Sequence, residues 1–434
     1  MSTIKQVITN SAWIIFCRCM KVILAAVVSI YTARMLGTAD FGLINYASSV
    51  ISFISPFVLL GYNSILVKEL LVAHCKEGTI LGTAIISSAI CSCIGMGVAA
   101  GISYLFSPSD MVGLRVSVIY SVTLLFHSTE LIQYWFQAKY RSKTVALVGL
   151  ISYAVVSLYK IILLANRAGI YWFALSNAVD YLLISSTLLY IYVKEDNPKL
   201  KFSWSTFKKL LNCGYSYAVS AFMVNVFTQV DKLMIKSIIG NSQNGLYSVA
   251  VACAGMFVFV FSAIIEAMRP YILEAKRMNE TVFEERLKSL YSIIIYVGIF
   301  CGVSVTIAAE SMIQVLYGKE YAGSVTVLRL LIWNMVLSCV GGAKDIWLMA
   351  ENKQRYLLLL NSLGVVSNIA VNLVLIPQHG ITGAAVATIV TQVFSNIVLC
   401  VIIKDLRRNM VILVQGLNPL IIIRNLQALR KKGN

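Results

Sequence analysis

The chain has 434 residues, of which 59% are hydrophobic and only 13% are charged, and its formal net charge is +17. Soluble proteins average about 45–50% apolar and about 25% charged residues, so this composition excludes an ordinary soluble, secreted or disordered chain. The apolar runs are continuous and long rather than alternating, which excludes a transmembrane β-barrel and predicts membrane-spanning helices.

The first half of the chain carries six apolar runs, and a membrane helix needs about 20 such residues. The predicted spans are residues 12–36, 41–67, 78–109, 113–137, 144–166 and 169–193. A polar stretch with five lysines and Pro198 follows, and it indicates a cytoplasmic linker over residues 194–210.

Six further apolar runs follow the linker. The predicted spans are residues 211–239, 245–270, 289–317, 324–349, 356–377 and 381–403. The last two form one charge-free run that is too long for a single pass, and Pro377 and Gly380 divide it. The tail, residues 404–434, has a short apolar run at 409–423 that predicts a cytoplasmic or interfacial segment.

The sequence therefore predicts an all-α integral membrane protein with twelve transmembrane helices in two pseudo-symmetric six-helix lobes. The lobes are residues 1–193 and 211–403. Most of the 36 lysines and arginines fall in the loops of one side, whereas the other side holds only Arg167 and Lys319. The positive-inside rule then predicts that both termini are cytoplasmic. The positive charge reflects this topology, so we expect no nucleic-acid partner.

The two lobes resemble each other in sequence. The segments 36–43 and 239–246 each carry two glycines at the same spacing, and they join the first two helices of their lobes. Gly169-Ile170 and Gly380-Ile381 open the last predicted span of each lobe. Parallel six-helix repeats are typical of transporters, in which substrate sites lie near the bilayer midplane.

Basic residues outnumber acidic ones inside the predicted spans, and an anionic substrate would complement that excess. Helical spacing places basic and polar residues on one face of the first helix of each lobe. The predicted substrate-binding residues are Arg18, Lys21, Asn225, Gln229, Lys232, Lys236 and Arg269. A second interpretation is that Arg18 reaches the membrane surface and binds nothing.

Other intramembrane charges are candidates for ion pairing or for coupling transport to an ion. They are Glu130, Lys160, Asp180, Asp231 and Glu266. Lys160 and Asp180 lie on neighbouring helices and could neutralise each other, and Glu266 is spaced to pair with Arg269. Asp231, beside Lys232, is either the partner of that lysine or a proton carrier.

No cofactor or metal site is predicted, because the cysteines and the three histidines form no ligand cluster and the chain lacks a phosphate-binding loop. The charged and apolar pattern of residues 274–288 predicts a separate helix that lies along the cytoplasmic membrane surface.

Several segments resemble one family of transporters. ARMLGTADFG at residues 33–42, DKLMI at 231–235, GLYSVA at 245–250 and GITGAA at 380–385 are similar to signatures of Wzx-type polysaccharide flippases. These belong to the multidrug/oligosaccharidyl-lipid/polysaccharide exporter superfamily. The resemblance covers almost the whole chain in order.

The resemblance implies a non-enzymatic flippase of the bacterial inner membrane. It would move undecaprenyl-pyrophosphate-linked oligosaccharide, an O-antigen or related repeat unit, by alternating access. It also implies contacts with membrane lipids, a polysaccharide polymerase and a chain-length partner. Lysine and arginine in a cavity would bind the pyrophosphate.

Two other functions compete with this hypothesis. A multidrug exporter of the same superfamily would take cationic drugs, which the basic interior disfavours. A membrane oligosaccharide polymerase would normally need a sizeable catalytic loop outside the membrane, and no predicted outer loop is long enough.

Overall fold

A computed structural model describes residues 2–72, 76–195 and 198–419 of the chain. Every regular element in these ranges is helical. The α-helices are α1 Ser2–Val58, α2 Tyr62–Val72, α3 Glu77–Phe106, α4 Met111–Ser121, α5 Thr123–Glu130, α6 Gln133–Ala138, α7 Ser142–Ala165, α8 Ile170–Lys194, α9 Trp204–Ile239, α10 Asn241–Met278, α11 Glu280–Leu316, α12 Ser324–Ala350, α13 Arg355–Val393, α14 Leu399–Ile402 and α15 Arg407–Gly416.

Within the described ranges, ten helical segments are long and apolar enough to cross a membrane, so the chain is a multi-pass membrane protein. Two of them, Phe16–Val72 and Arg355–Ile402, are much longer than the others and each contain two predicted spans. Each is kinked at a glycine that lies between two predicted spans. Gly37 has φ 75° and Gly380 has φ 60°, a region that favours glycine.

The chain forms two compact units, Met1–Gln229 and Val230–Asn434, and the division falls inside α9. In the first unit, α1 packs against α3, α4 and α7, and α8 packs against α5 and α7. In the second unit, α12 is central and packs against α10, α11 and α13. Each unit thus has its own helical core.

The described part of the linker is an extended strap held against α3. The backbone N–H of Lys201 donates to the Gly78 carbonyl (3.2 Å), and that of Ser203 donates to Thr83 Oγ1 (3.0 Å). A Cβ at Gly82 would lie 2.5 Å from the Lys201 nitrogen, so only glycine permits this approach. Residues 196 and 197 of the predicted linker lie outside the described ranges.

The prediction of a separate surface helix over residues 274–288 is wrong. Its charged residues belong to the adjoining ends of two long helices, because α10 ends at Met278 and α11 begins at Glu280. The Asn279 side chain accepts a hydrogen bond from the Thr281 N–H (2.9 Å) and so caps the start of α11.

The first part of the predicted tail folds as α15 and packs on α11. Arg408 donates to Glu284 Oε1 (3.0 Å) and pairs with Glu280 (2.9 Å). Tyr291 donates to Asn409 Oδ1 (2.8 Å), and both residues are buried. The rest of the tail, residues 420–434, lies outside the described ranges.

Candidate functional site

A polar pocket of about 300 Å³ lies in the first unit, at the predicted basic stripe of α1. Arg18 and Lys21 line it, and their spacing of three residues places both on one helix face. Glu130, Gln133 and Gln137 come from α5 and α6. The remaining lining residues are Cys17, Ser142, Val145, Ala146, Gly149 and Ile184. The pocket therefore joins two cations to a carboxylate and two amides.

Lys21 is held by two neighbours. Its Nζ lies 3.7 Å from Asp180 Oδ2 on α8 and 5.3 Å from the centre of the Tyr153 ring on α7. Asp180 is buried, and Lys160 is close enough for its charge to act on that carboxylate. Among the described residues, Asp180 therefore forms its ion pair with Lys21 and not with Lys160, the partner that the sequence suggested. Arg18 is exposed and forms no ion pair within the described ranges.

Two predicted substrate residues on α9 contact α1 within the first unit. Asn225 Nδ2 donates to the Ser52 carbonyl (2.5 Å), and Ser49 Oγ donates to Gln229 Oε1 (3.0 Å). The side-chain amides of Asn225 and Gln229 therefore take part in the packing of α9 against α1.

The second unit contains a buried carboxylate. Asp231 on α9 is 5% exposed. Tyr247 and Thr388 donate their hydroxyl groups to Oδ2 at 2.8 and 2.7 Å, and Asn372 Nδ2 donates to Oδ1 at 2.7 Å. Asn372 also donates to Asn368 Oδ1 (3.0 Å). Because α9, α10 and α13 all contribute, this cluster ties three helices together.

Sequence reasoning missed the partners of Asp231. Asn368, Asn372 and Thr388 lie in a run that has no charge, so a count of intramembrane charges passes over them. The spacing of Asn368 and Asn372 could have indicated a buried polar cluster, because two asparagines four residues apart share one face of an apolar helix.

A second buried polar cluster surrounds Lys344 on α12. Its Nζ donates to Asn396 Oδ1 (2.9 Å) and lies 3.8 Å from Asp345 Oδ1. Asn396 sits in a π-helical turn, Phe394–Val398, and donates to Gln392 Oε1 (2.7 Å). Such turns rearrange helix side chains and are frequent at functional sites.

The remaining predicted residues lie apart from these clusters. Arg269 is exposed on α10 and close enough for its charge to act on Asp345, and it forms no ion pair with Glu266 in the described structure. Lys236 is buried and Lys232 is half-buried. No group of three or more histidine, cysteine, aspartate or glutamate side chains within residues 2–72, 76–195 and 198–419 could hold a metal ion.

The sequence profile of a family described as "Polysaccharide biosynthesis protein" matches residues 32–326. No curated protein matches the chain in sequence.

Solved structures with the same fold are transporters and flippases. Lipid II flippase MurJ in an inward closed conformation has a TM-score of 0.73 at 13% identity, covering 97% of this chain and 93% of that one. An inward-facing multidrug resistance MATE family transporter of the MOP superfamily has a TM-score of 0.67 at 14% identity, with coverages of 92% and 96%. A MOP superfamily transporter from Pyrococcus furiosus has a TM-score of 0.51 at 12% identity, with coverages of 92% and 94%. The fold is therefore shared with this superfamily.

Proposed function

Because the chain belongs to the family of polysaccharide biosynthesis proteins, as its motifs indicate, we propose that it translocates a lipid-linked oligosaccharide. The substrate is undecaprenyl-pyrophosphate-linked, an O-antigen or related repeat unit, and it crosses the bacterial inner membrane by alternating access. The observation that carries this proposal is the pocket in which Arg18 and Lys21 meet inside a membrane-spanning unit.

The pyrophosphate binds to Arg18 and Lys21. Arginine and lysine form charge-assisted hydrogen bonds with phosphate oxygens, and these strengthen where water is partly excluded. Arg18 has no competing ion pair within the described residues, whereas Lys21 must share its charge with Asp180. In the second unit, Lys232, Lys236 and Arg269 are further candidate contacts for the anionic substrate.

Asp231 is the proposed coupling residue. A buried carboxylate inside a membrane is costly, and its hydrogen bonds to residues of α10 and α13 link its protonation or cation binding to helix packing. Asp231→Asn should abolish transport driven by an imposed proton or sodium gradient in proteoliposomes, while substrate binding persists. Gradient-driven transport at the wild-type rate in Asp231→Asn would refute the assignment.

We infer twelve passes from the lengths of the two kinked segments, and the excess of lysine and arginine in the loops of one side supports cytoplasmic termini. Phe16–Val72 has 57 residues and Arg355–Ile402 has 48. At 1.5 Å per residue these extend about 85 and 72 Å, more than twice the roughly 30 Å hydrocarbon core. Each is therefore assigned two passes, divided at Gly37 and Gly380.

Cysteine labelling tests this topology. In a cysteine-free background, single cysteines at Ser109, Asn241 and Gln378 should react with an impermeant reagent added outside the cell. Cysteines at Ser142 and Ser203 should react only after the membrane is opened. The reverse pattern would overturn the orientation.

A multidrug exporter is the second candidate, because MATE transporters share the fold. The two functions differ in pocket charge, and reversed pocket polarity is reported to suggest a different function for the Pyrococcus furiosus transporter. Two cations line the pocket of the first unit, which disfavours a cationic drug.

The deciding experiment is restoration of surface polysaccharide in a flippase-null strain, with protein levels checked by immunoblot. Arg18→Ala, Lys21→Ala and Lys232→Ala should each lose most activity, and Lys232→Arg should retain part of it. Normal surface polymer from both Arg18→Ala and Lys232→Ala, at normal expression, would refute the cationic mechanism. Drug resistance without polymer in the wild type would favour the exporter.

A further inference from the structure

The pocket of the first unit has two chemically different walls. Arg18 and Lys21 on α1 supply positive charge. Glu130 supplies a carboxylate, which repels a pyrophosphate, and Gln133 and Gln137 supply two amides; all three can exchange hydrogen bonds with hydroxyl groups. An anion alone would leave the carboxylate and the amide oxygens of this second wall unused.

Local structure directs the amides into the pocket. In the short helix α6, Trp135, Phe136 and Ala138 are buried in the core of the unit. Gln133 and Gln137 are four residues apart, so they share the remaining face, and both are half-buried. The buried aromatic residues fix the orientation of α6 and therefore the position of both amides.

The polar groups of this wall remain available to a ligand. Gln133 lies beside the Glu130 carboxylate, which orients its amide. The side-chain amide of Gln137 forms no hydrogen bond within the described ranges, and its backbone carbonyl accepts from the Tyr140 N–H (3.0 Å). Half-buried amides that face a pocket are suited to recognise a ligand with both donors and acceptors.

The third wall, from α7, leaves room for a ring. Ala146 and Gly149 line the pocket with almost no side chain. A Cβ added at Gly149 would meet no atom within 4 Å. A pocket of about 300 Å³ is small for a ligand site and accommodates a pyrophosphate with one sugar ring rather than an oligosaccharide.

We propose that Glu130, Gln133 and Gln137 form a subsite for the sugar directly attached to the pyrophosphate. The carboxylate accepts hydrogen bonds from ring hydroxyl groups, and the amides donate to and accept from the substituents of the same ring. This subsite rests on the proposed function, because it needs the pyrophosphate bound at Arg18 and Lys21. It makes the first sugar, rather than the distal repeat, the part of the substrate that is recognised here.

Binding of two lipids separates the subsite from the phosphate site. The purified full-length protein is titrated with polyprenyl pyrophosphate, and with the same lipid carrying one N-acetylhexosamine. Gln137→Ala should weaken binding of the sugar-bearing lipid roughly 3- to 10-fold and leave the bare lipid unchanged, because one hydrogen bond is lost. Arg18→Ala should weaken binding of both lipids.

A matched control is Gln314→Ala, which removes an amide of the second unit that donates to Glu310 (3.1 Å). It should bind both lipids like the wild type. Equal effects of Gln137→Ala on the two lipids, or none on either, would overturn the subsite. Binding of neither lipid by the wild type would instead overturn the proposed function.

A steric variant tests the same subsite without altering a polar group. Gly149→Val fills the open space and should weaken binding of the sugar-bearing lipid by at least as much as Gln137→Ala. Gly97→Val, at another glycine whose added Cβ meets no atom within 4 Å, controls for valine in a membrane helix. If Gly149→Val binds the sugar-bearing lipid normally, the sugar does not occupy this space.

Discussion

The sharpest stability prediction concerns Glu77, a buried carboxylate in the first turn of α3. It is 6% exposed and accepts hydrogen bonds from the Trp135 indole (2.9 Å) and the Lys139 ammonium group (2.7 Å). Two substitutions separate these bonds. Glu77→Ala removes both, whereas Glu77→Gln keeps a carbonyl oxygen for the indole and removes only the charge.

The magnitudes follow from the exposure of the two donors. Trp135 is 4% exposed, so an indole N–H without an acceptor should cost about 1–3 kcal/mol of unfolding free energy. The Lys139 side chain is 40% exposed and can hydrate, so its ion pair should contribute less than about 1 kcal/mol. We expect Glu77→Ala to lose about 2–3 kcal/mol and Glu77→Gln less than about 1 kcal/mol.

The assay is thermal unfolding of the purified full-length protein in detergent, followed by circular dichroism. Lys139→Met is a further comparison, because it removes the ion pair and leaves the indole hydrogen bond intact. It leaves the buried Glu77 carboxylate without its cation, so it should lower the unfolding temperature more than Glu77→Gln does. If Glu77→Gln lowers the unfolding temperature as much as Glu77→Ala does, the charge rather than the indole bond dominates and the reasoning fails.

Three further predictions follow from contacts in the two units. Gly82→Ala should release the linker strap from α3, because the new Cβ would clash with the strap backbone, and trypsin should then cleave the linker faster. Asp180→Asn should free the charge of Lys21 and tighten binding of polyprenyl pyrophosphate by up to about fivefold at low salt, because an ion pair of this exposure is weak. Asn396→Leu should lower the unfolding temperature more than Lys344→Met does, because it leaves a buried ammonium group without its amide acceptor.

Each of these has a defined contrary result. Gly101→Ala lies on the same helix with open space around its Cβ, and cleavage equal to that of Gly82→Ala would contradict the clash. Weaker lipid binding by Asp180→Asn would mean that Asp180 positions Lys21 for the substrate. A larger loss of stability in Lys344→Met would mean that the ammonium group stabilises the second unit.

The membrane character, the helical class and the kinks at Gly37 and Gly380 were predictable, because they depend on local composition and on glycine conformation. The position of Arg18 and Lys21 on one helix face was also predictable, from their spacing of three residues. The partners of Lys21 were not, because Asp180 and Tyr153 reach it through helix packing that spacing within one helix does not specify.

The error at residues 274–288 has the same origin. The charged residues of this segment are spaced like one face of an amphipathic helix. They belong, however, to the ends of two helices and form ion pairs with other elements. Lys276 forms ion pairs with Glu280 and Glu351, and Arg408 reaches Glu280 from α15. The charge pattern of this short segment therefore results from contacts with residues that are distant in the chain.

The partners of Asp231 also have a consequence for synthesis. Asn372 and Thr388 follow it by 141 and 157 residues, so at about 5–20 residues per second they emerge roughly 7 to 30 s later. Throughout that interval, α9 carries a carboxylate that costs about 2.5–3.5 kcal/mol at the bilayer centre. The ribosome thus delivers the charge long before the Asn372 amide and the Thr388 hydroxyl that bind it, and of these three donors Tyr247 alone follows closely in the chain.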